Sequence, residues 1–392
     1  MFINNFLLLI ITTSIIHHVI CDPLKIDLYN LQHDYTEEKL IKYDEVLHAS
    51  NPGYDTVVLY KFLNAEYYGE IGIGYPKQTF KVIFDTTWAD TFVPSQQCGF
   101  TEWACMMHTR YDHTKSSTYR ANGATFERAD SEMSLKGFLS VDDFHLAHLK
   151  VVNQTFIEMT HLSLKPFGAT KADGIVGLGF DSLAVKGAKP FFYNMINQNI
   201  VKENIFTFYM NIDETTNKAG RLILGGTERS HVKGNLTFLP VTSKDYWSVS
   251  LDRMIIQTTD KSKTTYTFCD NGCSVMMDTS ANTISGPAEV VKKINNILGA
   301  KEILPTWPYK SMVDCRGFSK LPHVTFVFAG RNFTIESKYY VQHLTYMGMQ
   351  ICLSPFVISP QNYWEIGGAF LMQFYTEFNI DKRTIAIGET LM

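Results

Sequence analysis

Residues 82–87 have the sequence Val-Ile-Phe-Asp-Thr-Thr, and residues 275–280 repeat the pattern as Val-Met-Met-Asp-Thr-Ser. Each motif is an apolar run, typical of a buried strand, that ends in Asp, Thr and a further hydroxyl residue. A glycine landmark follows each motif at nearly the same distance. Gly177 lies 92 residues after Asp85, and Gly367 lies 89 residues after Asp278. Two matched landmarks at one spacing predict two similar halves.

Short β-rich segments surround the two motifs. Gly, Asn, Asp and Pro turns separate them at intervals of about 8–12 residues, which is the spacing of an all-β fold. The segments lie at 56–63, 69–73, 79–84, 206–211, 236–241 and 325–328. Helical patterns are few, at 36–47, 190–199 and 288–298. Aromatic residues form 13% of the 392-residue chain, which favours strands over helical bundles, and this length suits two domains.

The charge of the chain excludes one large class of function. It has 35 basic and 39 acidic residues, so its net charge is −4 and it has no electrostatic signature of nucleic-acid binding. No Gly-x-Ser-x-Gly sequence occurs, so nothing indicates a serine nucleophile of that type. The chain is predicted to be a globular protein without a nucleic-acid partner.

The first 21 residues predict export. They contain no Lys, Arg, Asp or Glu, and residues 6–16 are mostly apolar, which indicates a signal peptide at 1–21. An N-terminal membrane anchor is the alternative, although the run is shorter than the ~20 residues of a membrane span. After signal removal we expect no membrane span. Three Asn-x-Thr triplets are glycosylation sequons that support the secretory route, at Asn153, Asn235 and Asn332.

The cysteines support the same compartment. Removing the signal peptide takes away Cys21 and leaves six of the seven cysteines. They fall as neighbouring pairs, which are Cys98 and Cys105, Cys269 and Cys273, and Cys315 and Cys352. Their spacing does not match the clusters of a zinc site, so we predict three disulfides and no metal site.

Further motifs carry a specific resemblance. They follow in order along the chain, at 67–80, 93–95, 98–119, 172–178, 224–226, 246–247, 269–273 and 321–326. Together they resemble the pepsin/cathepsin D family of aspartic endopeptidases, peptidase A1. The resemblance implies an all-β, bilobal pepsin-like fold, with two β-rich lobes around a central cleft. It places a pro-segment at 22–56, an N-terminal lobe at 57–230 and a C-terminal lobe at 231–392.

The resemblance also implies the chemistry. Asp85 and Asp278 take the positions of the two catalytic aspartates, one from each lobe, and Thr86 and Thr279 take those of the buried threonines that join the two loops. Two close carboxylates cannot both ionise, so they share a proton and activate a water; pepsin is a standard case of such a dyad. The implied partner is a protein or peptide in the cleft of a monomer. No metal or cofactor is implied.

The surroundings of the dyad depart from the family pattern. Thr87 and Ser280 stand where the family has glycine, which places added bulk and hydroxyls beside the position of the water. The next residue in the family carries a hydroxyl that binds the carboxylate, but here Trp88 and Ala281 occupy these positions. Glycine lets backbone segments approach closely, so these changes predict a disturbed site. Two further departures are Phe92 in place of a tryptophan and Gly368 in place of an aspartate.

The flap departs as well. Residues 126–137 align without gaps to the flap hairpin of the family, which puts Asp130 at the position of the flap tyrosine. Ser131 and Met133 then replace the two turn glycines. A carboxylate at Asp130 is expected to bring negative charge towards the dyad and to raise its pKa.

The sequence leaves two functions open. The expected one is a secreted homologue with feeble or no activity that acts as a binding protein, since displaced reacting groups lose rate steeply. The alternative is an active acid endopeptidase with altered specificity, either secreted or endolysosomal. Residues 22–50 have a net charge of −4, which weakens the usual locking of a basic pro-segment into an acidic cleft. We expect Trp103, Met106 and Met107, near the first cysteine pair, to pack within their loop.

Overall fold

The computed structural model describes residues 55–62, 66–130, 133–168, 170–210, 218–302, 311–346, 349–359 and 361–391. The expected signal peptide, the helix predicted at 36–47 and nearly all of the expected pro-segment lie outside these residues, so they stay predictions.

Strands dominate the described residues. In the N-terminal half they are β1 (Asp55–Phe62), β2 (Glu66–Ile73), β3 (Gln78–Asp85), β4 (Phe92–Pro94), β5 (Arg120–Ala129), β6 (Ser134–Leu146), β7 (Leu149–Leu162), β8 (Gly174–Gly177), β9 (Ile205–Met210) and β10 (Lys218–Leu224). In the C-terminal half they are β11 (Val232–Pro240), β12 (Ser248–Leu251), β13 (Arg253–Gln257), β14 (Thr265–Phe268), β15 (Cys273–Met277), β16 (Ile284–Gly286), β17 (Lys301–Glu302), β18 (Ser311–Val313), β19 (His323–Phe328), β20 (Arg331–Ile335), β21 (Gln342–Tyr346), β22 (Met349–Leu353), β23 (Phe356–Ile358), β24 (Trp364–Ile366), β25 (Phe374–Asn379) and β26 (Thr384–Thr390).

The α-helices of the described residues are short. They are α1 (Trp103–Met106), α2 (Leu164–Phe167), α3 (Phe191–Asn197), α4 (Ala288–Ile297), α5 (Ser337–Tyr340) and α6 (Gly368–Leu371). Within the part of the chain that the structure describes, no helix is long and apolar enough to cross a membrane.

The expected all-β class is confirmed. Each β-rich segment named from the sequence overlaps a strand: β1, β2, β3, β9, β11 and β19. The two helices predicted downstream of the N-terminus correspond to α3 and α4. In α4 the apolar side chains recur on one face, and Val291 and Ile294 are buried, as expected for an amphipathic helix against a sheet.

The strands form four sheets. The largest has 13 strands, and smaller sheets of five, four and four strands complete the described part of the C-terminal half. In the large sheet β9 pairs with β25, where Phe208 lies opposite Thr376. Strands from both sides of residue 230 therefore share one sheet. The lobe boundary expected at 230/231 stays a prediction.

Trp247 joins the core to both aspartate loops. Its ring is fully buried and lies 4.3 Å from the Phe180 ring centroid. Its indole N–H donates to the Leu178 carbonyl at 3.0 Å, and its backbone carbonyl accepts from the N–H of Met277 at 2.9 Å. Burial of a side chain of this size contributes about 3 kcal/mol. This apolar base fixes two segments that come from distant parts of the sequence.

Candidate active site

Asp85 and Asp278 each lie at the end of a strand that has a parallel neighbour. Asp85 ends β3, which runs parallel to β8 and pairs with it at Gly177. Asp278 follows β15, which runs parallel to β24. The N–H of Leu178 donates to the Asp85 carbonyl at 2.7 Å, and the N–H of Asp278 donates to the Ile366 carbonyl at 3.0 Å. Each half therefore holds the backbone of its aspartate by a hydrogen bond to the segment of the parallel neighbouring strand.

The repeated glycines explain the spacing seen in the sequence. A Cβ on Gly177 would lie 2.3 Å from the carbonyl carbon of Ala89, and a Cβ on Gly367 would lie 2.3 Å from the carbonyl oxygen of Ala281. Only a residue without a Cβ fits such an approach of two backbones. Each glycine thus supports the loop that follows its aspartate.

Thr86 and Thr279 link the two loops through a reciprocal set of hydrogen bonds. The backbone N–H of each threonine donates to the side-chain oxygen of the other at 3.1 Å. The Thr86 hydroxyl donates to the Met277 carbonyl at 2.7 Å, and the Thr279 hydroxyl donates to the Phe84 carbonyl at 2.6 Å. Both threonines are buried. This network fixes the spacing between the two aspartate loops.

The two carboxylates have matching hydrogen-bond partners. Both aspartates are only 4% exposed. Thr87 donates to Asp85 Oδ1 from its backbone N–H and from its hydroxyl, each at 2.7 Å. Ser280 donates to Asp278 Oδ1 in the same two ways, again at 2.7 Å. Each of these four bonds falls on Oδ1 of its carboxylate.

The hydroxyls beside the carboxylates lie at different positions from those of the family pattern. Trp88 and Ala281 stand where that pattern carries the hydroxyl. The hydroxyls have instead moved one position towards the aspartates, to Thr87 and Ser280, and they still reach the carboxylates. The side chains that replace glycine are thus themselves donors to the acidic pair.

Burial and mutual repulsion set the proton affinity of the pair. Two effects together raise the pKa of Asp85 to about 7: the larger is burial, and the second is the negative charge of Asp278. Hydrogen bonds from Thr87 and Ser280 lower the pKa and so offset part of this rise. Because a carboxyl with such a pKa keeps its proton in acidic solution, Asp85 is protonated there.

The flap segment forms a hairpin between β5 and β6, and Asp130 lies at its turn. Its carboxylate accepts from the backbone N–H of Met133 at 2.9 Å, across the turn. Asp130 Oδ2 also lies 3.8 Å from Nε of Arg128, on the same hairpin. The charge that raises the pKa of Asp85 comes from Asp278. Ser131 and Glu132 lie outside the described residues.

Trp88 connects the flap to the loop that follows Asp85. The guanidinium of Arg128 lies 4.3 Å from the centre of the Trp88 ring, a cation–π contact. The ring also meets Phe92 edge-on at 6.1 Å between centroids. The indole N–H of Trp88 is buried and has no hydrogen-bond partner within the described part of the chain. Trp88 therefore joins Arg128 of the flap to the loop that follows Asp85.

The sequence analysis missed Arg128 and Asp90. Asp90 is 6% exposed, and both of its carboxylate oxygens accept from the backbone N–H of Val185 at 3.2 Å. Burial raises its pKa to about 6, and the positive charge of Arg128 offsets part of the rise. An Asp five residues after a catalytic motif has no pattern of its own, so only the fold could identify it.

The remaining predicted features lie outside the acidic pair. The three disulfides occur with the pairing expected from the sequence, Cys98–Cys105, Cys269–Cys273 and Cys315–Cys352. The three sequon asparagines, Asn153, Asn235 and Asn332, are exposed, as glycan attachment requires. Gly368 opens α6, and a Cβ there would lie 2.4 Å from Oδ1 of Asn282. Glycosylation itself stays a prediction.

Comparison with known proteins identifies the family. The family model described as eukaryotic aspartyl protease matches residues 66–390, which include both aspartate loops. The chain belongs to this family. It is 36% identical over 337 residues to cathepsin D of Gallus gallus, which covers 85% of this chain and 82% of that protein. It is 37% identical over 343 residues to cathepsin D of Rattus norvegicus, with the same two coverages.

A second type of relative matches equally well. Renin of Canis lupus familiaris is 36% identical over 340 residues, which are 86% of this chain and 81% of that protein. The family match confirms the resemblance drawn from the sequence motifs. It also confirms the bilobal pepsin-like fold class. Because aspartyl proteases with different names match at the same identity, the substrate must be argued from the site.

Proposed function

We propose that the chain is an aspartic-type endopeptidase that hydrolyses peptide bonds of proteins in acidic solution, with a specificity altered by its flap. One observation carries the proposal: each buried carboxylate receives a backbone and a hydroxyl hydrogen bond, from Thr87 at Asp85 and from Ser280 at Asp278. These bonds favour an active enzyme over the inactive homologue expected from the sequence, because they orient both carboxylates.

The chemistry follows from the single shared proton. The ionised carboxylate accepts a proton from a bound water, and the water oxygen attacks the carbonyl carbon of the peptide bond. The protonated carboxyl gives its proton to the carbonyl oxygen, which forms a tetrahedral intermediate. The C–N bond then breaks as the amine receives a proton from the pair. Asp85 is the initial holder of the proton, since burial raises its pKa to about 7.

Altered specificity is supported by the flap. Asp130 and Arg128 place a charged pair on the hairpin, with side chains 41% and 49% exposed. A closing flap excludes water and positions the substrate. Charged groups there favour substrates with polar or charged side chains near the cleaved bond. Arg128 also contacts the ring of Trp88, which ties the flap to the loop that follows Asp85.

Capture of a protein or peptide without cleavage is the second candidate function. The observation that favours it is the Asp130 side chain, which is bound to its own turn and to Arg128. No tyrosine at this position reaches from the flap towards the acidic pair. A cleft with this flap would hold a peptide while reaction remained slow, because positioning supplies much of the rate.

The deciding experiment is hydrolysis of a denatured protein substrate by the purified chain, freed of residues 1–54, between pH 3 and pH 6. We expect cleavage that a statine-type inhibitor blocks, because such mimics require the geometry of the acidic pair. Sub-micromolar inhibitor binding without cleavage would favour the capture function. Neither cleavage nor inhibitor binding by the folded chain would overturn the endopeptidase proposal.

Replacing Thr87 with Val is expected to move the alkaline limb of the pH–rate profile upwards. The Thr87 hydroxyl lowers the pKa of Asp85, so its loss raises that pKa and the shared proton is retained to higher pH. A hydrogen bond to a charged group contributes about 1.5–3 kcal/mol, which corresponds to a shift of about one to two pH units. The measurement is kcat/KM on a fluorogenic peptide from pH 3 to pH 8. Thr87→Ser keeps the hydroxyl and should keep the limb in place; an unmoved limb in Thr87→Val would contradict the assignment.

The cellular location is also a proposal. We infer that the chain acts outside the cytosol, either extracellularly or in an endolysosomal compartment. Its three disulfides support an oxidising route, and the three exposed sequons are compatible with it. The signal peptide at 1–21, the pro-segment at 22–56 and the monomeric state remain part of this proposal.

A further inference from the structure

Five large apolar side chains are exposed together at the first disulfide loop. The group, which we name the loop patch, consists of Phe100, Trp103, Met106, Met107 and Leu164, with exposed fractions of 86%, 63%, 41%, 61% and 62%. The expectation that Trp103, Met106 and Met107 pack within their loop is therefore wrong. Large apolar side chains that are exposed together on a protein surface mark a site of contact with another protein, a ligand or a membrane.

Helix α1 explains why the side chains share one face. Trp103 lies three and four positions before Met106 and Met107, so the three project from the same side of the helix. On the opposite side Ala104 and Cys105 are buried against the sheet. The Cys98–Cys105 disulfide anchors the loop at both ends. The apolar face of this helix is thus turned outwards on a rigid base, the reverse of an ordinary surface helix.

Helix α2 extends the loop patch. It packs beside α1, and its first residue is Leu164. The link between the two segments is fixed by a hydrogen bond between the ring Nε2 of His108 and the Phe167 carbonyl, at 2.8 Å. The patch is therefore built from two segments that are distant in sequence, and both are held by the fold.

Basic side chains border the loop patch. This basic rim consists of Lys81, Arg110, Lys165 and Lys171. A guanidinium nitrogen of Arg110 lies 3.2 Å from the sulfur of Met106. Lys81 and Lys171 line the same polar pocket as Met107, and Lys165 follows Leu164 directly. Positive charge thus surrounds the apolar side chains.

The nearby acidic groups are largely engaged. Glu102 Oε2 lies 2.6 Å from Nδ1 of His161. The two carboxylate oxygens of Asp173 accept the backbone N–H groups of Thr109 and Lys81, at 2.7 and 2.8 Å, and the side chain is buried. Glu70 is the remaining acid in the pocket that Lys81 lines. The four basic side chains of the rim outnumber these three acids by one, so the rim keeps a small excess of positive charge.

We propose that the loop patch inserts into the surface of membranes that contain anionic lipids, with the basic rim on the lipid headgroups. Phe100 is 86% exposed and Trp103 is 63% exposed, so both side chains protrude from the surface. A membrane surface can accept protruding side chains directly, whereas a protein partner would need a groove that fits them. Aromatic and methionine side chains insert into the boundary between headgroups and acyl chains, and lysines and arginines bind the negative leaflet. The proposal is independent of peptidase activity.

Vesicle co-sedimentation tests the proposal on the folded chain. Vesicles of phosphatidylcholine alone are compared with vesicles that contain three parts of phosphatidylserine to seven of phosphatidylcholine. We expect binding mainly to the anionic vesicles. The double variant Phe100→Ser, Trp103→Ser should reduce binding at least about tenfold, and Arg110→Gln should reduce it about fivefold at low salt. Phe238→Ser removes an aromatic side chain that is 54% exposed on β11, and it should leave binding unchanged.

Fluorescence locates the contact. Brominated lipids are expected to quench the emission of the parent chain upon binding, and Trp103→Phe should lower that quenching, since Trp103 is 63% exposed whereas Trp247 and Trp364 are buried. Equal binding by the parent and the Phe100/Trp103 variant would overturn the proposal. So would a dimer without vesicles that the same variant converts to a monomer, because the occupant would then be a second copy. Thermal unfolding curves that match those of the parent chain verify that the variants fold.

Discussion

Asp85→Asn is expected to reduce peptide cleavage by about 10⁴-fold, the upper end of the contribution of a positioned acid–base group. The amide has the shape of the protonated carboxyl and can still accept the bonds that Thr87 donates to Oδ1. It cannot give up or regain a proton, so the cycle of proton transfers stops. The measurement is kcat/KM on a fluorogenic peptide near pH 4, with unfolding curves to show that the variant is folded.

Two further variants make this result specific. Asp278→Asn should lose activity to the same degree, because one proton serves both carboxyls. Asp90→Asn is the matched control: it removes another buried carboxylate, five positions away, that accepts only from the backbone N–H of Val185 among the described residues. It should keep activity within about threefold. Equal losses at Asp85 and Asp90 would indicate a general effect of loop disruption and would contradict the assignment.

The repeated landmarks were the part of the site that the sequence could predict. An aspartate at the end of a buried strand and a glycine at nearly the same distance occur twice. Each half needs the same close approach of a glycine to the backbone of the aspartate loop. In the structure these are the approach of Gly177 to Ala89 and that of Gly367 to Ala281. A residue that must lack a Cβ leaves a clear signal in a sequence.

Side-chain direction was the part that the sequence could not predict. Thr87 was expected to place bulk and a hydroxyl beside the position of the water, and in the structure its hydroxyl donates to the carboxylate two residues earlier. Whether a side chain points towards a site or away from it depends on local backbone angles, which a motif does not contain. The same limit explains the error at Trp103, whose apolar character suggested packing although its helix face is turned outwards.

Partners from distant segments were hidden for a related reason. Arg128 lies on the flap hairpin, 40 positions after Trp88, and only the fold brings the two to 4.3 Å. The Asp130 carboxylate accepts from the backbone N–H of Met133 and lies 3.8 Å from Nε of Arg128, two contacts that the flap alignment could not predict. Residues that are distant in sequence thus contact each other at this site, and no local sequence pattern connects them.

The chain is expected to become less stable as the pH rises from about 4 to about 7. Burial raises the pKa of Asp85 from 3.8 to about 7, so the folded state holds a proton that the unfolded state releases near pH 4. Between these two pH values the unfolded state binds fewer protons, and the free energy of unfolding falls with each pH unit. A shift of this size corresponds to roughly 4 kcal/mol. Asp90, with a pKa raised to about 6 by burial, acts in the same direction.

Asp85→Asn should remove most of this dependence, because the amide stays neutral and donates to Asp278. The variant should unfold at a higher temperature than the parent at pH 7 and at a similar temperature at pH 4, as scanning calorimetry at several pH values can measure. Asp260→Asn is the control of opposite sign, since hydrogen bonds from Ser262 and Thr258 lower the pKa of that exposed carboxyl. It should not raise the unfolding temperature at pH 7. A parent chain that is more stable at pH 7 than at pH 4 would contradict the argument from the raised pKa of Asp85. The same desolvation that activates the pair in acid therefore makes the site a source of instability at neutral pH.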